Sequence, residues 1–319
     1  MTDTNLDWKN WLEAVYSTHY KELYKLAKNV IYLGRIHPNH TVVDAGTGLG
    51  LVGFNVHKIL KGGQVIAFDN NSDCLESCKK TIEKRQISES YKLINSSFED
   101  IQIDDSTADR ILTRSSLHCS LDKQKAINEL YRILKKRGQI ALFEPILYNK
   151  TFRIYKYLSP KTKLYEYYKT VEEVVRNDSN DPSTNFTQNT LFENLKNAGF
   201  KNINIIAIKE SDFWIEPENI SEGNIFYEGL PHRVSLKEKF LKYMNEEQFE
   251  VYYREVEKQL KNKKIHYFMS HLYITAQKSP SFTDVIIQKL RILKFQLTSA
   301  LLLRIQYGIS DLLRKNINY

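Results

Sequence analysis

A carboxylate followed at once by a glycine-rich turn is the chemically most informative feature of the sequence. A β-branched, apolar run at residues 41–43 leads into Asp44, and every second residue from 46 to 50 is glycine. Glycine lets a backbone approach a ligand closely, and the N–H groups of such a turn point into the gap. Apolar residues then recur with helical spacing from 51 to 60. Strand, turn and helix together predict a site for a nucleotide-like ligand.

A second acid ends the next predicted strand. Strand 64–68 leads into Asp69, which lies about 20 residues past the glycines, close to the spacing that places an acid on a ribose. At the carboxyl end of a parallel strand, Asp69 is expected to accept hydrogen bonds from both ribose hydroxyls, with Asn70 framing the sugar. The alternative is a helix cap before Ser72.

Two glycine patterns overlap in the turn. Residues 48–53 fit G-x-G-x-x-G, the pattern of dinucleotide-binding enzymes, whereas Asp44 and residues 46–50 resemble the binding loop of class I S-adenosylmethionine (SAM) methyltransferases. A carboxylate at the strand end would repel a pyrophosphate, but it would attract the ammonium group of SAM. Charge therefore favours the methyltransferase interpretation. A structural turn with Asp44 as a helix cap is the remaining alternative.

A second block resembles small-molecule and natural-product methyltransferases. It contains a Leu-His step at 117–118, a Glu-Leu-x-Arg-x-Leu-Lys helix at 129–135 and a following Glu-Pro at 144–145. Lys-Arg-Gly at 136–138 departs from the Pro-Gly-Gly that is usual in such families, which is expected to change the turn and not the chemistry. The resemblance covers residues 41–145. It implies SAM as the methyl donor and S-adenosylhomocysteine as the product.

The resemblance also implies which residues hold the cofactor, and none is assigned to a metal. The predicted cofactor-binding residues are Asp44, Gly46, Thr47, Gly48, Gly50, Asp69, Asn70, Ser97, Phe98, Glu99 and Ser115. Of these, Ser97, Phe98 and Glu99 follow the predicted third strand, where adenine should lie. Phe98 is expected to contact the adenine ring and the other two its edge. A solvent-facing loop is the alternative for all three.

Methyl transfer from a sulfonium depends mainly on in-line geometry and on the exclusion of water. A base is needed only where the acceptor must lose a proton. His118, just after the fourth predicted strand, is the candidate base, and capping or packing on the next helix is its alternative. Arg114, the second catalytic candidate, is predicted to orient an acidic substrate group or to pair with a carboxylate.

Tyrosines are concentrated where a substrate would lie. Residues 6–36 are predicted to be helical, and Tyr16 and Tyr20 share one face of that helix, either as part of a lid over the cofactor or packed on the core. A tyrosine-rich stretch from 146 to 182, which includes Tyr148, is expected to cap the carboxyl ends of the strands. Tyr16, Tyr20 and Tyr148 are therefore the predicted substrate-binding residues. As a group the tyrosines indicate an apolar or aromatic small molecule or a peptide side chain.

Composition places the chain among ordinary globular proteins, because 42% of its 319 residues are hydrophobic and 26% are charged. Lys and Arg number 46 against 38 Asp and Glu, a mildly basic balance. Early charged residues argue against a signal peptide, and three cysteines without a C-x-x-C pair suit a reducing compartment, so a cytoplasmic location is predicted. Nucleic acid is disfavoured as a partner, because residues 113–116 differ from the Asn/Asp-Pro-Pro-aromatic loop of adenine methyltransferases.

Strand and helix signals alternate with short links, which predicts a Rossmann-like α/β fold. We expect a seven-stranded sheet, six strands parallel and one antiparallel, with N-terminal helices, two helical cap insertions and a C-terminal amphipathic helix. The predicted units are an N-terminal helical lid (1–39), a SAM-binding core (40–145), a cap insertion (146–186), a core continuation (187–210), a second cap insertion (211–263), the final core strand (264–278) and the amphipathic helix (279–319).

The C-terminal helix carries both apolar and basic residues. Apolar residues recur with helical spacing from 286 to 312, and Lys and Arg are interspersed among them. Such a stripe needs cover. We expect it to pack on its own domain or on a partner subunit in a homodimer, or to lie on an anionic membrane surface.

The predicted function is SAM-dependent transfer of a methyl group to oxygen or nitrogen of a small metabolite or peptide natural product. One alternative is a membrane-associated lipid or quinone methyltransferase. The other is a non-catalytic SAM-binding scaffold, which would bind SAM without transferring its methyl group.

Overall fold

One seven-stranded sheet organises the chain, for which a computed structural model describes residues 8–146, 153–178, 181–215, 235–261 and 265–315. The strand order is β3-β2-β1-β4-β5-β7-β6, and β7 is antiparallel to both of its neighbours while the other strands are parallel. The strands are β1 (Thr41–Ala45), β2 (Gln64–Asp69), β3 (Tyr91–Asn95), β4 (Ala108–Arg114), β5 (Leu134–Ile146), β6 (Lys201–Ile215) and β7 (Ile265–Gln277). The predicted fold class, with six parallel strands and one antiparallel strand, is confirmed.

Helices cover both faces of this sheet. They are α1 (Trp8–Gly34), α2 (Leu51–His57), α3 (Ser72–Arg85), α4 (Lys123–Ile133), α5 (Tyr165–Arg176), α6 (Gln188–Asn197), α7 (Leu236–Phe240), α8 (Glu246–Leu260) and α9 (Phe282–Lys315). A non-helical backbone conformation at His19 divides α1 into two segments, and Arg35 ends it with a positive φ of 55°. The N-terminal helical region therefore stops just ahead of Pro38, as predicted.

Two hydrophobic cores lie on opposite faces of the sheet. On one face, Ile127 and Leu130 of α4 pack with Leu195 of α6 against the strands. On the other face, α1, α2, α3 and the first part of α9 cover β1, β2 and β4. Because both faces are covered, the central strands can be apolar throughout, as in other parallel sheets.

The start of β5 differs from the sequence prediction. Residues 135–138 were expected to end a helix, with the strand confined to 139–143, but α4 ends at Ile133 and β5 begins at Leu134. Leu134 pairs with Ala108, and the register then shifts before Arg110 pairs with Gln139. Strand pairing with β4 thus overrides the helical signal of the basic run.

The hairpin of β6 and β7 also exceeds its prediction. The core continuation is predicted to end at residue 210, whereas β6 runs to Ile215 and remains paired with β7 as far as Ile265. The paired backbone crosses residue 210, the predicted start of the second cap. The domain boundaries themselves stay predictions.

The two cap insertions share a single hydrophobic core, separate from the two at the sheet. Tyr168 and Val171 of α5 pack with Phe240 of α7 and with Phe249 and Tyr252 of α8. Tyr252 lies 4.4 Å from Tyr168 and 5.4 Å from Phe240 between ring centroids. Segments from either side of the sixth strand therefore form one helical cap.

A buried ion pair joins the two insertions. Nζ of Lys239, in α7, lies 2.7 Å from Oδ2 of Asp181, which belongs to the first insertion, and both residues are buried. The backbone N–H of Ser183 donates to the other Asp181 oxygen at 2.9 Å. Charges buried in this way are stabilising only while they remain paired.

Helix α9 has the extent predicted from its apolar periodicity. Its first part packs on the sheet domain, with Ile292 and Phe295 buried beside α1 and β7. Within the described ranges, no helix combines the length and apolar character needed to cross a membrane.

Replacing Lys239 by Ala should loosen the cap, because it removes the positive charge that faces the buried Asp181 carboxylate. We expect a loss of about 3–5 kcal/mol in the free energy of unfolding of the cap, seen as an earlier denaturation transition and faster proteolysis of 153–261. Lys242→Ala, at an exposed position two residues from α7, is the control. Equal stability of the two variants would show that the pair does not hold the insertions together.

Candidate functional site

The predicted site residues meet at the carboxyl edge of the sheet, where its strand order reverses. β1 lies between β2 and β4, so the connections that leave β1 and β4 run to opposite sides. Asp44 lies in β1 one residue before its end, Asp69 ends β2, and Arg114 ends β4. Open α/β sheets bind ligands at this crevice.

Asp44 is 2% exposed and holds the glycine turn to the start of α2. Its Oδ2 accepts from the Thr47 hydroxyl at 2.6 Å and from the Gly53 N–H at 2.8 Å. Burial raises the pKa of Asp44 to about 6, while the hydrogen bonds from Thr47 and Gly53 act in the opposite direction. The carboxylate therefore remains ionised at neutral pH. Its direct contact with the SAM ammonium stays a prediction.

The N–H groups of the turn are used largely within the protein, which corrects the expectation that they point freely into the gap. Those of Gly46 and Thr47 both donate to the Phe68 carbonyl, at 2.9 and 3.0 Å, and that of Gly50 donates to the Thr47 carbonyl at 2.9 Å. The Gly48 N–H donates to Oδ2 of Asp69 at 2.8 Å. The turn is thus pre-formed by bonds to β2.

The turn requires glycine, because its backbone is left-handed and its neighbours are close. Gly46, Gly48 and Gly50 have φ values of 67°, 51° and 81°, which disfavour residues with a Cβ. A Cβ on Gly46 would lie 2.4 Å from Cβ of Ser116, and one on Gly48 would lie 3.1 Å from Leu12. Glycine therefore lets the loop after β4 and helix α1 approach the backbone of the turn closely.

Asp69 retains acceptor capacity for a sugar hydroxyl. Oδ1 accepts from the Asn71 N–H at 3.0 Å, Oδ2 accepts from Gly48, and the Asn70 N–H also bonds the carboxylate. A carboxylate offers about four lone-pair positions, so three N–H donors leave capacity for one more bond. Burial raises the pKa of Asp69, and the three backbone N–H groups oppose that shift. This capacity suits a ribose, and contact of Asp69 with both ribose hydroxyls stays a prediction.

The three residues predicted to contact adenine lie in different environments in the structure. Phe98 is buried against Phe68, with ring centroids 5.2 Å apart, beneath Gly46. Oε1 of Glu99 turns toward the loop before α4 and accepts from the Ser120 hydroxyl at 2.6 Å. Ser97 is half-buried in a tight turn closed by a bridge to Asp100. Contact of these residues with adenine stays a prediction.

Helix α1 lies over the glycine turn, as a lid would. Tyr16 is within hydrogen-bonding reach of Arg114, and the Asp44 charge acts on both side chains. Burial raises the pKa of Tyr16, and Arg114 opposes the shift. Tyr20 is 50% exposed and stacks on Tyr24 at 5.9 Å, away from this contact. Tyr148 lies outside the described residues.

Ser116 is a site residue that the sequence analysis did not assign. Its hydroxyl donates to the Gly46 carbonyl at 2.9 Å, which ties the loop after β4 to the turn after β1. The preceding Ser115 has a positive φ of 56° and donates its N–H to the Phe143 carbonyl at 2.7 Å. Only proximity in space identifies Ser116, because no local motif marks it.

His118 is buried and bonded within the protein. Its Nδ1 lies 2.9 Å from Oε2 of Glu144, and its Nε2 lies 3.4 Å from the Cys119 sulfur. Burial by itself would lower the pKa of His118, but Cys119 and the Glu144 carboxylate outweigh it and raise that pKa. Glu144 also accepts the backbone N–H groups of Ser116, Leu117 and His118. The predicted role as a base remains untested, and the contacts favour a positioning role.

Replacing Glu144 by Gln should destabilise the fold, because an amide nitrogen would face N–H donors. We expect a loss of about 1–3 kcal/mol in the free energy of unfolding, measured by chemical denaturation. A raised pKa of His118 means that its stabilising contribution is complete below pH ~6.5 and is lost as the pH rises beyond that value. Glu144→Gln should reduce this decline, because it removes the carboxylate from the His118 ring while Cys119 stays beside it.

Glu83→Gln, at an exposed position of α3, is the control for Glu144→Gln. It should keep both the stability of the parent chain and its pH dependence. If Glu144→Gln behaved in the same way, the carboxylate would not be the anchor of this loop.

Comparison with known proteins assigns the chain to a family. Three relatives match 36–54% of it: the chloroplastic 2-methyl-6-phytyl-1,4-hydroquinone methyltransferase of Arabidopsis thaliana (28% identity), the sterol 24-C-methyltransferase of Pneumocystis carinii (25%) and the ubiquinone/menaquinone biosynthesis C-methyltransferase of Pasteurella multocida (24%). The matches span 43%, 30% and 65% of those proteins, less than two thirds of each.

Solved structures share the fold. A Bacillus halodurans protein matches 80% of the chain over 99% of its own, with a TM-score of 0.51 at 18% identity. The YcgJ protein of Bacillus subtilis matches 82% over 100%, also with a TM-score of 0.51, at 14% identity. The family described as methyltransferase domain matches residues 36–248. The chain therefore belongs to the methyltransferase-domain family and has the class I fold of SAM-dependent enzymes.

Proposed function

We propose that this chain transfers the methyl group of SAM to a small, largely apolar acceptor of the lipid or quinone class. The observation that carries the proposal is that Asp44, Asp69 and Arg114 lie at the carboxyl ends of three neighbouring strands beside the glycine turn, with Tyr16 of α1 close enough to interact with Arg114. A lid residue, a cation and two acids thus meet at the edge where a donor and an acceptor would have to lie side by side. The cap of α5, α7 and α8 is linked to the same edge through β5 and β6.

The relatives support the acceptor class. The relatives are named for a phytyl hydroquinone, a sterol and quinone biosynthesis, and two of them are named C-methyltransferases. Carbon therefore joins oxygen and nitrogen as a candidate acceptor atom. A small metabolite or peptide natural product as acceptor, and a cytoplasmic location, stay predictions from the sequence.

Each residue of the site has a role that follows from its contacts. Bound SAM supplies a methyl group already activated on a sulfonium. Asp69 would hold a ribose hydroxyl, and the charge of Asp44 favours the ammonium end. Tyr16 would cover the acceptor side and limit water, while Arg114 would orient a polar or acidic group of the acceptor. His118 positions the loop after β4 and need not accept a proton.

Tyr16→Phe should lower methyl transfer, because it removes the hydroxyl that meets the Arg114 guanidinium. We expect kcat/KM to fall by about tenfold, as expected for one lost hydrogen bond to a charged group. S-adenosylhomocysteine formation with a short-chain hydroquinone and with a sterol measures it. Tyr20→Phe, on the exposed part of the same helix, is the matched control. Equal rates for the two variants would contradict the lid role of Tyr16.

A non-catalytic scaffold is the alternative that this assay separates. Calorimetric binding of SAM without S-adenosylhomocysteine formation, across lipid, quinone and water-soluble acceptors, would favour the scaffold. Product formed only with water-soluble acceptors would retain the enzyme and reject the acceptor class.

SAM affinity should depend on pH through Asp44. Because the pKa of Asp44 is raised to about 6, its carboxylate gains a proton as the pH falls through that value and then no longer attracts the ammonium group. We expect affinity to be constant above pH ~7 and to weaken by about tenfold below the pKa. Calorimetry across this range should show that Asp44→Asn loses the component with its midpoint near pH 6. Asp73→Asn, at an exposed position of α3, should keep it. A wild-type profile without this component would contradict the role of Asp44.

A further inference from the structure

As far as residue 298, the side chains of helix α9 that contact the sheet domain lie on one face. On that face, Phe295 lies 5.3 Å from Tyr273 of β7 and 6.4 Å from Tyr32 of α1 between ring centroids. The Arg291 guanidinium lies 4.5 Å above the Tyr32 ring and donates to the Tyr32 carbonyl. These contacts fix the rotation of the helix about its axis. The fold therefore determines which side chains the opposite face of the helix exposes to solvent.

The opposite face presents large apolar side chains to solvent. Phe282 is 81% exposed, and Leu290 and Leu297 are each 62% exposed. The exposed stripe consists of Phe282, Ile286, Leu290, Leu293 and Leu297, at intervals of three and four residues. Single exposed apolar residues are ordinary, but a continuous stripe of this size marks an interaction surface.

The charge around this exposed stripe is basic. Lys289 and Lys294 are exposed beside Leu290 and Leu293. The one acidic residue between 282 and 298 is Asp284, whose Oδ2 bonds Arg137 at 2.9 Å and the Ser281 hydroxyl at 2.7 Å, at the base of the helix. No carboxylate of this stretch therefore compensates the two lysines.

The chemistry of the stripe discriminates between its candidate occupants. A second copy of the chain would bring Lys289 and Lys294 toward the same residues of its partner, and this face offers no acid to pair with them. A bilayer with anionic lipids offers both complements, acyl chains for the leucines and lipid phosphates for the lysines. The helix also continues, because its backbone stays helical to Lys315, and residues 299–315 include Arg304, Arg314 and Lys315 against one acid, Asp311.

We propose that the exposed stripe of α9 docks the chain on an anionic membrane surface. The helix starts at the amino side of the sheet, where Asp284 pairs with Arg137. Farther along the helix, Phe295 contacts Tyr273, and Tyr273 pairs with Phe143 near the carboxyl end of β5. It is thus directed toward the edge that carries the glycine turn. Docking goes beyond the proposed reaction, because it concerns lipid binding and holds whatever the acceptor is.

The test is co-sedimentation of the full chain with vesicles of phosphatidylcholine, alone or mixed with phosphatidylglycerol. We expect binding to the mixed vesicles that weakens as salt is added, since lysine–phosphate attraction is screened. Leu290→Gln with Leu293→Gln should weaken binding to mixed vesicles by about tenfold or more. Lys289→Gln with Lys294→Gln should weaken it by about tenfold on mixed vesicles, with little change on phosphatidylcholine alone.

Val251→Gln, at an exposed apolar position of α8, is the control for a general loss of surface hydrophobicity. All variants should keep the denaturation midpoint and the SAM affinity of the parent chain, because the altered side chains face solvent. The proposal is overturned if the parent chain does not bind mixed vesicles, or if the leucine variant binds them as well as the parent does. A dimer in light scattering that the leucine variant converts to monomer, without lipid binding by the parent chain, would assign the face to a second copy. Loss of docking with methyl transfer to the short-chain hydroquinone intact would leave the proposed function standing.

Discussion

The bonds from the Asp44 carboxylate to the Thr47 hydroxyl and the Gly53 N–H are the contacts on which the rest of the site depends. A buried carboxylate is costly unless polar groups surround it, and here those groups come from the turn and from α2. Neither element can move without leaving the charge exposed to an apolar interior. A Cβ at Gly53 would lie 2.9 Å from the Asp44 oxygen and 2.1 Å from the Tyr91 hydroxyl, so this position also requires glycine.

Glu144 in β5 orders a loop in the same way as Asp44 does in β1. Its carboxylate accepts hydrogen bonds from the backbone N–H groups of residues 116–118 and lies beside Nδ1 of His118. Ser116 then joins that loop to Gly46. The carboxylates of Asp44 and Glu144 thus order two neighbouring loops, and the Ser116 hydroxyl links those two loops. These bonds order the loops of the site, which favours a reaction that depends on alignment.

The additions to the shared sheet differ in how they are attached. The cap has its own core and meets the sheet domain in part through Lys123, whose amine donates to the Pro182 carbonyl at 2.8 Å and whose pKa burial lowers to about 8. Helix α9 instead packs directly on α1 and β7, through Ile292 and Phe295. A cap built in this way can vary with the acceptor, while α9 extends the surface of the sheet domain itself.

The sequence by itself determined the fold class, the strands that carry Asp44 and Asp69 near their carboxyl ends, the glycine turn and the extent of α9. These features are local, because apolar periodicity and turn chemistry are written in neighbouring residues. Only the tertiary structure decided that the turn's N–H groups are already used by β2, that Glu99 faces Ser120, and that His118 is bonded to Glu144. It also decided that both insertions form one cap and which face of α9 is exposed. Those outcomes depend on contacts between residues far apart in the chain. Long-range packing and hydrogen-bond partners determine which role a side chain takes, and local residue spacing does not reveal them.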